Sequence, residues 1–396
     1  MDIATILHLN ETALAQGMAL QRKRFAFQPV ADDTGKHQIG LVGPRGSGKT
    51  VILKQLLALF PDTACYLSLD AITIDSLFQT IQTLNEKYQF NLFLIDEIHH
   101  TKQYAQELKK AYDFLDVRII FSSSVALSLH ETAYDLSRRV KLIAINPFSF
   151  REYLYFTKGL ELPPLSISQL LEQKWESLHL RQEIHFESFL RGGLLPFSLE
   201  EPNIVPLMGN ILEKIITSDI PLIGKLLTDE IPLLRRMVRF IGSSPPDGIN
   251  YSSLSNNLEI TKYKAEQYVN LLEKAFVLKC VMPAGTNVMK EPKILMRLPY
   301  RLLFQPYENS IGALREEFFA EMMIARGITF NYLKSTRGAK TPDYLVETDD
   351  GSYVIEIGGP GKGREQFKGF DGRKNLILTH SNELTGIKRP LFLAGF

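Results

Sequence analysis

The stretch HQIGLVGPRGSGKTVILKQLLALF, residues 37–60, constrains the fold of this 396-residue chain more than any other. A short apolar run at 39–42 is followed by the glycine-rich loop GPRGSGKT and then by apolar residues at helical spacing. The loop matches G-x-x-x-x-G-K-[ST] in the strand–loop–helix order that this pattern requires. A chance glycine-rich turn is the alternative. The full pattern predicts an α/β domain with a parallel sheet core.

The residue types in the loop point to phosphate binding. Gly46 and Gly48 let the backbone turn so that successive N–H groups face phosphate oxygens, and the following helix adds its positive amino end. Lys49 is expected to reach the β- and γ-phosphates of ATP, and Thr50 to place its hydroxyl on Mg²⁺. The predicted nucleotide-binding residues are Gly43, Pro44, Arg45, Gly46, Ser47, Gly48, Lys49 and Thr50.

A second apolar strand ends in carboxylates. The stretch NLFLIDEIHH, residues 91–100, places Asp96 at the carboxyl end of the strand, where ligands bind in open α/β sheets. Asp96 is expected to hold Mg²⁺, and Glu97 to polarise the attacking water, which favours hydrolysis over nucleotide storage. His99 and His100 lack a third ligand at suitable spacing, so packing or solvent roles are favoured over metal binding.

Two further features suggest a γ-phosphate sensor and an arginine finger. The strand VRIIFSSS, residues 117–124, ends in serines, of which Ser122 is the candidate sensor and Ser123 and Ser124 are rivals. The alternative is that these hydroxyls cap the next helix. Arg138 or Arg139 could act as an arginine finger, in cis or from a neighbouring subunit. Alternatively, both are surface charges ahead of a strand at 140–145.

Composition limits the other possibilities. The two cysteines, Cys65 and Cys280, are far apart, which excludes a disulfide framework or a cysteine zinc site and favours a reducing, cytoplasmic compartment. The first residues do not resemble a signal peptide, and no run approaches the ~20 apolar residues of a membrane span. Residues 225–396 hold 24 basic and 19 acidic residues, a net charge of +5, which permits a polyanionic partner.

Nine segments of the chain occur in an order and at a spacing that are similar to those of one protein family. They are GPRGSGKT, LFLIDEIHH, the serines at 122–124, INPFSFREYL, FLRGGLLPFSL, KEPKILMRLPYRLLF, GALREEFFAEMM, EIGGPGKG and RPLFLAGF. This set resembles the prokaryotic AAA+-type ATPases that carry a C-terminal domain of unknown function related to restriction-endonuclease folds. The similarity covers nearly the whole chain. The family often has two arginines in the glycine-rich loop, whereas this chain has Arg45 alone, followed by Gly46. The family often has glutamine where this chain has His99.

The resemblance implies an α/β protein with distinct segments. The expected boundaries are 1–150 for an AAA+-like P-loop ATPase core, 151–225 for a helical lid, 226–285 for a winged helix and 286–396 for a PD-(D/E)xK nuclease-like domain. The helical periodicity of 151–225 is consistent with a lid over the nucleotide.

The rhythm of residues 231–285 also predicts a winged helix-turn-helix. We expect a helix ending at Gly242, a second helix at 250–258, a third at 262–275 capped by Thr261, and a strand leading to the wing. In DNA-reading versions the third helix enters the major groove. Its outward residues form a thin basic face, made of Lys262, Lys264, Gln267 and Asn270 and offset by Glu266 and Glu273. The alternative to DNA contact is that this helix packs against the protein itself.

The stretch PDYLVETDDGSYVIEIGGPGKG, residues 342–363, reads as a hairpin around an Asp-Asp-Gly turn. Its facing ends would bring Asp343 and Glu356 together, with Glu316 nearby, as three oxygen ligands for Mg²⁺. A nuclease of this kind would carry a lysine where the chain has Gly358. Lys362 could replace that lysine, or the fold persists without activity.

Together these features predict an ATP-binding, ATP-hydrolysing protein that couples its nucleotide state to winged-helix and nuclease-like domains and acts on DNA. The alternatives are an ATP-regulated, metal-dependent DNA nuclease and a nucleotide-controlled protein-interaction switch. ATP and Mg²⁺ are the expected cofactors. DNA and a homo-oligomer are the candidate partners, and no membrane partner is expected.

Overall fold

The structure is a computed structural model that describes residues 3–101, 103–126, 136–224, 226–285, 291–333, 341–359, 361, 364–367, 370 and 373–396. The chain divides into two compact units, residues 1–147 and 148–396. The first boundary lies close to the predicted end of the ATPase core at residue 150.

The first unit is an α/β domain. Its helices are α1 (Ile3–Ala19), α2 (Phe27–Ala31), α3 (Lys49–Leu59), α4 (Leu77–Tyr88) and α5 (Tyr104–Phe114). Its strands are β1 (Gln38–Val42), β2 (Ala64–Ser68), β3 (Leu92–Asp96), β4 (Arg118–Ser123) and β5 (Val140–Ala144). A short 3-10 helix, Ile98–His100, follows β3.

These strands form one parallel sheet in the order β2-β3-β4-β1-β5. Alternate strand residues face opposite sides of the sheet, so Phe93 and Ile95 join one apolar cluster while Leu92 and Leu94 join another. Both faces are buried, which explains why the strands read as continuous apolar runs. The carboxyl ends of β1, β3 and β4 therefore meet at one edge, where the glycine loop and the serines lie.

The second unit contains further helices and strands. Its helices are α6 (Phe150–Lys158), α7 (Ile167–Leu171), α8 (Ser177–Leu180), α9 (Phe186–Ser188), α10 (Ile204–Lys214), α11 (Ile220–Gly224), α12 (Ile231–Ser243), α13 (Tyr251–Leu258), α14 (Lys262–Lys274) and α15 (Tyr307–Ala325). Its strands are β6 (Leu278–Val281), β7 (Lys293–Met296), β8 (Thr329–Tyr332), β9 (Tyr344–Thr348), β10 (Gly351–Gly358), β11 (Lys374–Thr379) and β12 (Lys388–Pro390).

The last strands form a second sheet in the order β12-β11-β10-β9-β8. The predicted hairpin is confirmed: β9 and β10 are antiparallel, and Thr348 pairs with Gly351 across the turn. Strand β8 extends this hairpin on one side, and β11 joins β10 in parallel on the other. Helix α15 packs against this sheet through Phe319, whose ring lies 5.3 Å from that of Tyr344.

The segment predicted to be a helical lid shares a core with this sheet. The ring centroids of Phe186 and Phe318 are 4.8 Å apart, and those of Phe150 and Phe396 are 5.4 Å apart, both edge to face. Phe189 belongs to the same buried cluster. Edge-to-face aromatic packing adds to the free energy gained by burial. Apolar side chains of this segment are thus buried within the second unit. A lid over the nucleotide stays a prediction.

The elements predicted between residues 231 and 285 are present. Asn250 caps α13 by accepting from the N–H of Ser253 at 2.9 Å, and Thr261 caps α14 by accepting from the N–H of Lys264 at 3.2 Å. Strands β6 and β7 then pair as an antiparallel hairpin. Side-chain caps at these positions satisfy N–H groups at the helix start, which is why the sequence locates both helices. No helix of the described residues has the length and apolarity needed to cross a membrane.

Candidate functional site

The loop between β1 and α3 has the backbone geometry that its sequence predicts. Gly46 and Gly48 have φ angles of 78° and 88°, in the left-handed region that favours glycine. Gly48 directly precedes the first residue of α3, so the loop ends at a helix amino terminus. Free backbone N–H groups and the helix dipole both favour an anion at such a position.

The side chains of the loop also fit an oxyanion. Lys49 is buried, and its Nζ donates to the carbonyl oxygens of Gly43 at 2.8 Å and Pro44 at 2.9 Å. Ser47 is fully buried, and its Oγ has no hydrogen-bond partner within the described residues. Leaving a buried hydroxyl unpaired costs free energy. A phosphate in the loop would satisfy this group, and Thr50 follows it in the first turn of α3.

Arg24 braces the loop, and sequence reasoning did not find it. Its guanidinium is buried and donates to the carbonyl oxygen of Ser47 and, at 2.8 Å, to that of Asn146. It therefore ties the phosphate loop to the segment after β5. No local motif marks this arginine, because its partners lie far away along the chain.

Asp96 lies at the carboxyl end of β3 and is buried. The hydroxyl of Tyr66 donates to its Oδ2 at 2.8 Å, and Ser122 on the neighbouring strand donates to its Oδ1. Burial and the charge of Asp96 raise the pKa of Tyr66, so this hydroxyl keeps its proton. Two neutral donors thus orient the carboxylate that is predicted to hold Mg²⁺.

Glu97 follows directly, with a φ angle of 54°. Its Oε2 accepts from the N–H of Ser124 at 3.1 Å and lies 3.3 Å from His99 Nδ1, while its Oε1 lies 3.6 Å from the guanidinium of Arg45. A non-glycine residue in the left-handed region is uncommon. This backbone turn directs the Glu97 side chain toward the loop and the serines rather than along the strand.

The three serines at the carboxyl end of β4 differ in their partners. Ser122 Oγ donates to Asp96 and accepts from the N–H of Glu97 at 3.0 Å. Ser123 Oγ donates to the carbonyl of Val125 at 2.9 Å. Ser124 Oγ is buried and has no hydrogen-bond partner among the described residues. Ser122 therefore positions the acidic pair, and Ser124, a rival in the sequence analysis, has the hydroxyl left for a ligand.

The two candidate arginine fingers lie at the other edge of the sheet. Arg138 and Arg139 directly precede β5, whereas the phosphate loop follows β1, and these two strands are parallel and in register. A strand of five residues spans about 16 Å. Arg139 also pairs with Asp113 at 2.9 Å. This geometry disfavours either residue as a finger within its own chain.

The histidine pair does not form a metal site with its neighbours. His99 lies between Glu97 and Ser123, with Nδ1 3.3 Å from each partner oxygen, and its ring packs on that of His100 at 4.6 Å. Within the described ranges, no three His, Cys, Asp or Glu side chains are placed to hold a metal ion. The ring contact is the kind of packing role that the sequence analysis favours for this pair.

The metal triad expected in the second unit stays a prediction, and the structure shows the present contacts of its three carboxylates. Glu316 Oε2 contacts Lys293 Nζ at 2.5 Å and accepts from the Tyr344 hydroxyl at 2.9 Å. Asp343 Oδ2 accepts from the N–H of Ile357 at 2.7 Å. Glu356 Oε1 accepts from Gln366 Nε2 at 3.0 Å. The three carboxylates are close enough for their charges to interact, and one oxygen of each contacts a protein donor.

Burial and mutual repulsion act on this cluster. Burial, followed by the charges of Glu316 and Glu356, raises the pKa of Asp343 to about 8. The raised pKa favours the neutral form of Asp343, which offers less negative charge to a cation than the carboxylate does.

Lys293 supplies the positive charge of this region. It lies on β7 with a side chain that is 11% exposed, between Glu316, at 2.5 Å, and Asp247, at 2.8 Å, and both charges raise its pKa despite partial burial. Sequence reasoning assigned this role to Lys362, which lies outside the described residues. The missed signal is weak, because Lys293 belongs to another hairpin and reaches the cluster only through folding.

The basic face predicted on α14 is already partly neutralised. Lys262 pairs with Glu291 at 2.5 Å, and Lys264 pairs with Glu230 at 3.0 Å. The hydroxyl of Tyr268 also donates to Glu230 at 2.7 Å. These pairs reduce the positive charge that the helix would present to a phosphate backbone.

Comparison with known families matches two regions of the chain. Residues 36–154 match the family described as AAA domain (AAA_14), and residues 190–297 match a domain of unknown function (DUF8612). The first match contains the phosphate loop, Asp96, Glu97 and the serines. The second begins in the helical segment and ends just after β7.

Individual relatives are distant. The chain is 28% identical over 309 residues to the uncharacterized protein MJ1637 of Methanocaldococcus jannaschii, an alignment that covers 69% of this chain and 65% of that protein. The chain thus spans slightly less than two thirds of that relative's length.

The chain also shows a distant similarity to two solved structures. The Walker-type ATPase PABY2304 of Pyrococcus abyssi has 14% identity and a TM-score of 0.40, over 68% of this chain and 91% of that one. RuvB of Thermotoga maritima has 12% identity and a TM-score of 0.28, over 70% and 90%.

The family match and the geometry of the loop agree on one class. A parallel sheet presents a glycine-rich loop, its lysine and a strand-end Asp-Glu pair at the same edge, within the residues that match the AAA domain. The first unit of this chain therefore contains a domain that resembles the P-loop, AAA-type ATPases.

Proposed function

We propose that this chain binds ATP with Mg²⁺ in the first unit, hydrolyses it there, and couples its nucleotide state to the second unit. One observation carries the proposal. The loop that carries Lys49 and the strand that ends in Asp96 and Glu97 meet at one edge of the parallel sheet, with Ser122 orienting the acidic pair.

Each residue has a separate role in the proposed reaction. Thr50 and Asp96 would hold Mg²⁺, which when bound neutralises charge on the phosphates. Lys49 exchanges its contacts with loop carbonyls for contacts with phosphate oxygens. Glu97 orients the attacking water through a carboxylate oxygen that now faces Ser124 and His99.

The test is ATP binding and turnover in matched variants. Lys49→Ala should weaken ATP binding and lower hydrolysis, because its ammonium contacts the phosphates. Glu97→Gln should keep ATP binding but lower kcat about 100-fold or more, because the carboxylate that orients the attacking water is lost. Lys54→Ala on the same helix, whose Nζ contacts Gln16 at 2.6 Å, is the control. Unchanged hydrolysis in Lys49→Ala would refute the proposal.

An arginine finger is proposed only from a neighbouring subunit. Arg138 is exposed, and the amino edge of its own sheet keeps it away from its own loop. Arg138→Ala should lower ATP turnover at protein concentrations that favour oligomers and leave turnover unchanged at high dilution. An equal loss at all concentrations would argue against a contribution from a second copy.

Action on DNA is the second part of the coupling proposal. It is supported by the net charge of +5 over residues 225–396. DNA should stimulate ATP turnover, and raising the salt concentration should reduce that stimulation, because phosphate contacts release counterions. The paired lysines of α14 favour the alternative, a nucleotide-controlled switch whose partner is a protein. Turnover that is indifferent to DNA at low salt would favour that alternative.

A metal-dependent DNA nuclease is the remaining candidate, favoured by the proximity of Glu316, Asp343 and Glu356. Burial, followed by the charges of Glu316 and Glu356, raises the pKa of Asp343 to about 8, which places the three carboxylates within electrostatic reach of one another. If this candidate holds, Mn²⁺- or Mg²⁺-dependent cutting of DNA should disappear in Asp343→Ala and Glu356→Ala. Cutting that survives both substitutions would assign it to a contaminant or another site.

A further inference from the structure

A cavity of about 870 Å³ lies within the second unit, at the carboxyl end of β10. Its wall is formed by the turn after α12, by one side of α15 and by Gly358 and Gly359. A volume of this size falls in the range of small-molecule sites. Part of the wall is apolar, with Pro245, Pro246 and Phe304 contributing flat surfaces.

Arg315 is a charged group of this wall that no described carboxylate neutralises. Its Nε is buried without a hydrogen-bond partner among the described residues. Burial lowers its pKa, and among the described residues the Tyr307 phenol opposes this shift while no carboxylate does. Two other arginines that contact α15 differ: Arg297 pairs with Glu321 and Arg301 with Glu317.

The two acidic side chains of the wall are already paired. Glu316 and Asp247 both contact the ammonium of Lys293, at 2.5 and 2.8 Å. They are therefore poor partners for the Arg315 guanidinium, which is left to attract an anion from solution.

The Gly-Gly sequence leaves room beside this guanidinium. A Cβ atom added to Gly359 would lie 3.3 Å from Arg315 Nη1, which is tighter than ordinary contact. Gly359 is not one of the glycines with a positive φ angle. Glycine is therefore favoured at this position by the lack of space for a side chain rather than by the backbone conformation. The absence of a side chain thus keeps the guanidinium accessible from the cavity.

A second basic group lies close to Arg315. His380 donates its backbone N–H to the carbonyl of Gly358 at 3.1 Å, and its Nδ1 is buried without a hydrogen-bond partner in the described part of the chain. Burial, followed by the charge of Arg315, lowers the pKa of His380, and the charge of Glu187 opposes this shift. The lowered pKa favours the neutral imidazole, whose Nδ1 donates a hydrogen bond in the tautomer that carries the proton there.

We propose that this cavity binds a phosphate ester, with Arg315 as the principal anion ligand and Gly359 as the residue that keeps it open. A guanidinium presents paired donors that match phosphate oxygens. The volume exceeds that of one phosphate group, and the prolines and Phe304 would contact the organic part. This site lies entirely in the second unit and is independent of the ATPase proposal.

The test measures phosphate binding in the full chain carrying Lys49→Ala, which weakens the competing phosphate loop. Inorganic phosphate and a 5′-phosphorylated thymidine dinucleotide are titrated by calorimetry. Adding Arg315→Ala should weaken binding of either probe about tenfold or more. Gly359→Val should weaken it as well, by crowding the guanidinium. Arg235→Ala, an exposed arginine that pairs with Glu213, is the matched control and should leave binding unchanged.

The two probes separate two sources of the same chemistry. Tighter binding of the dinucleotide would assign the site to a nucleotide or nucleic-acid phosphate, and equal binding would assign it to free phosphate. If Arg315→Ala does not fold, as judged by circular dichroism, Gly359→Val and Arg315→Lys carry the test. Unchanged binding of both probes in the folded variants would overturn the proposal.

Discussion

The hydroxyl of Ser122 on β4 donates a hydrogen bond to the carboxylate of Asp96 on β3, and both side chains are buried. Ser122→Ala removes one of the two side-chain donors that orient this carboxylate. We expect kcat for ATP hydrolysis to fall about tenfold while the KM for ATP changes little, as for other supports of metal ligands. Steady-state kinetics would check this.

The control for this prediction is Ser123→Ala on the same strand. Its hydroxyl bonds mainly to the local backbone at Val125, so its loss should lower kcat less. Equal effects of the two substitutions would show that Ser122 acts through strand stability rather than through Asp96.

Arg301 joins two helices of the second unit. Its guanidinium pairs with Glu317 at 2.7 Å and donates to the carbonyl oxygens of Gly242 and Ser244, at the carboxyl end of α12. Arg301→Ala leaves Glu317 buried without its counterion, and we expect a loss of about 3–5 kcal/mol in the free energy of unfolding. Urea unfolding followed by the fluorescence of Trp175, the single tryptophan, measures this.

The exposed pair of Arg235 and Glu213 gives the comparison for Arg301. Arg235→Ala should cost no more than about 1 kcal/mol, because exposed ion pairs contribute little. A similar loss in both variants would mean that burial does not set the energy of these pairs.

The contact between Lys293 and Glu316 can be measured by a double-mutant cycle. Lys293→Met and Glu316→Gln should each destabilise the second unit, because each leaves a buried charge without its nearest partner. The double variant should recover part of the loss, with a coupling energy of about 1–3 kcal/mol. Trp175 fluorescence during urea unfolding reports all three variants. Additive losses would show that the two side chains do not interact in solution.

Two glycines give opposite expectations for the same substitution. A Cβ atom at Gly43 would lie 2.0 Å from the carbonyl oxygen of Ile145, whereas one at Gly209 in α10 would meet nothing within 4 Å. Gly43→Ala should cost about 2 kcal/mol or more and weaken ATP binding, since the loop must shift. Gly209→Ala should be neutral or stabilise by up to about 1 kcal/mol. Thermal unfolding compares them; equal melting temperatures would contradict the geometry.

The two cysteines give a prediction about pH. Burial raises the pKa of both Cys65 and Cys280 to about 12. An unfolded thiol has a pKa of about 8.5, so the folded state keeps both protons at pH 8.5. This contribution to stability is present below about pH 8.5 and is lost as the pH rises toward 12.

A thiol reagent that forms a coloured product provides the measurement. At pH 8 the native protein should react slowly at both positions, and the protein in denaturant should release two equivalents, one for each cysteine. Fast reaction of one thiol in the native state, assigned by Cys280→Ser, would show that burial does not protect that position.

Structural features that depend on a few neighbouring residues could be predicted from the sequence. The glycine loop, the Asp96-Glu97 pair, the cap at Thr261, and the hairpin turn before Gly351 all depend on residues a few positions apart. Local backbone geometry and hydrogen bonding set these features, so spacing alone identifies them.

The sequence by itself thus determined the resemblance of the first unit to P-loop ATPase domains and the position of its glycine-rich loop. Tertiary structure alone decided which charges meet: Lys293 with Glu316, Arg301 with Glu317, and Arg315 with no described carboxylate. It also placed Arg139 at the edge of the sheet opposite the loop. The physical reason is that an ion pair forms wherever packing brings two side chains within reach, and no spacing along the chain specifies that encounter.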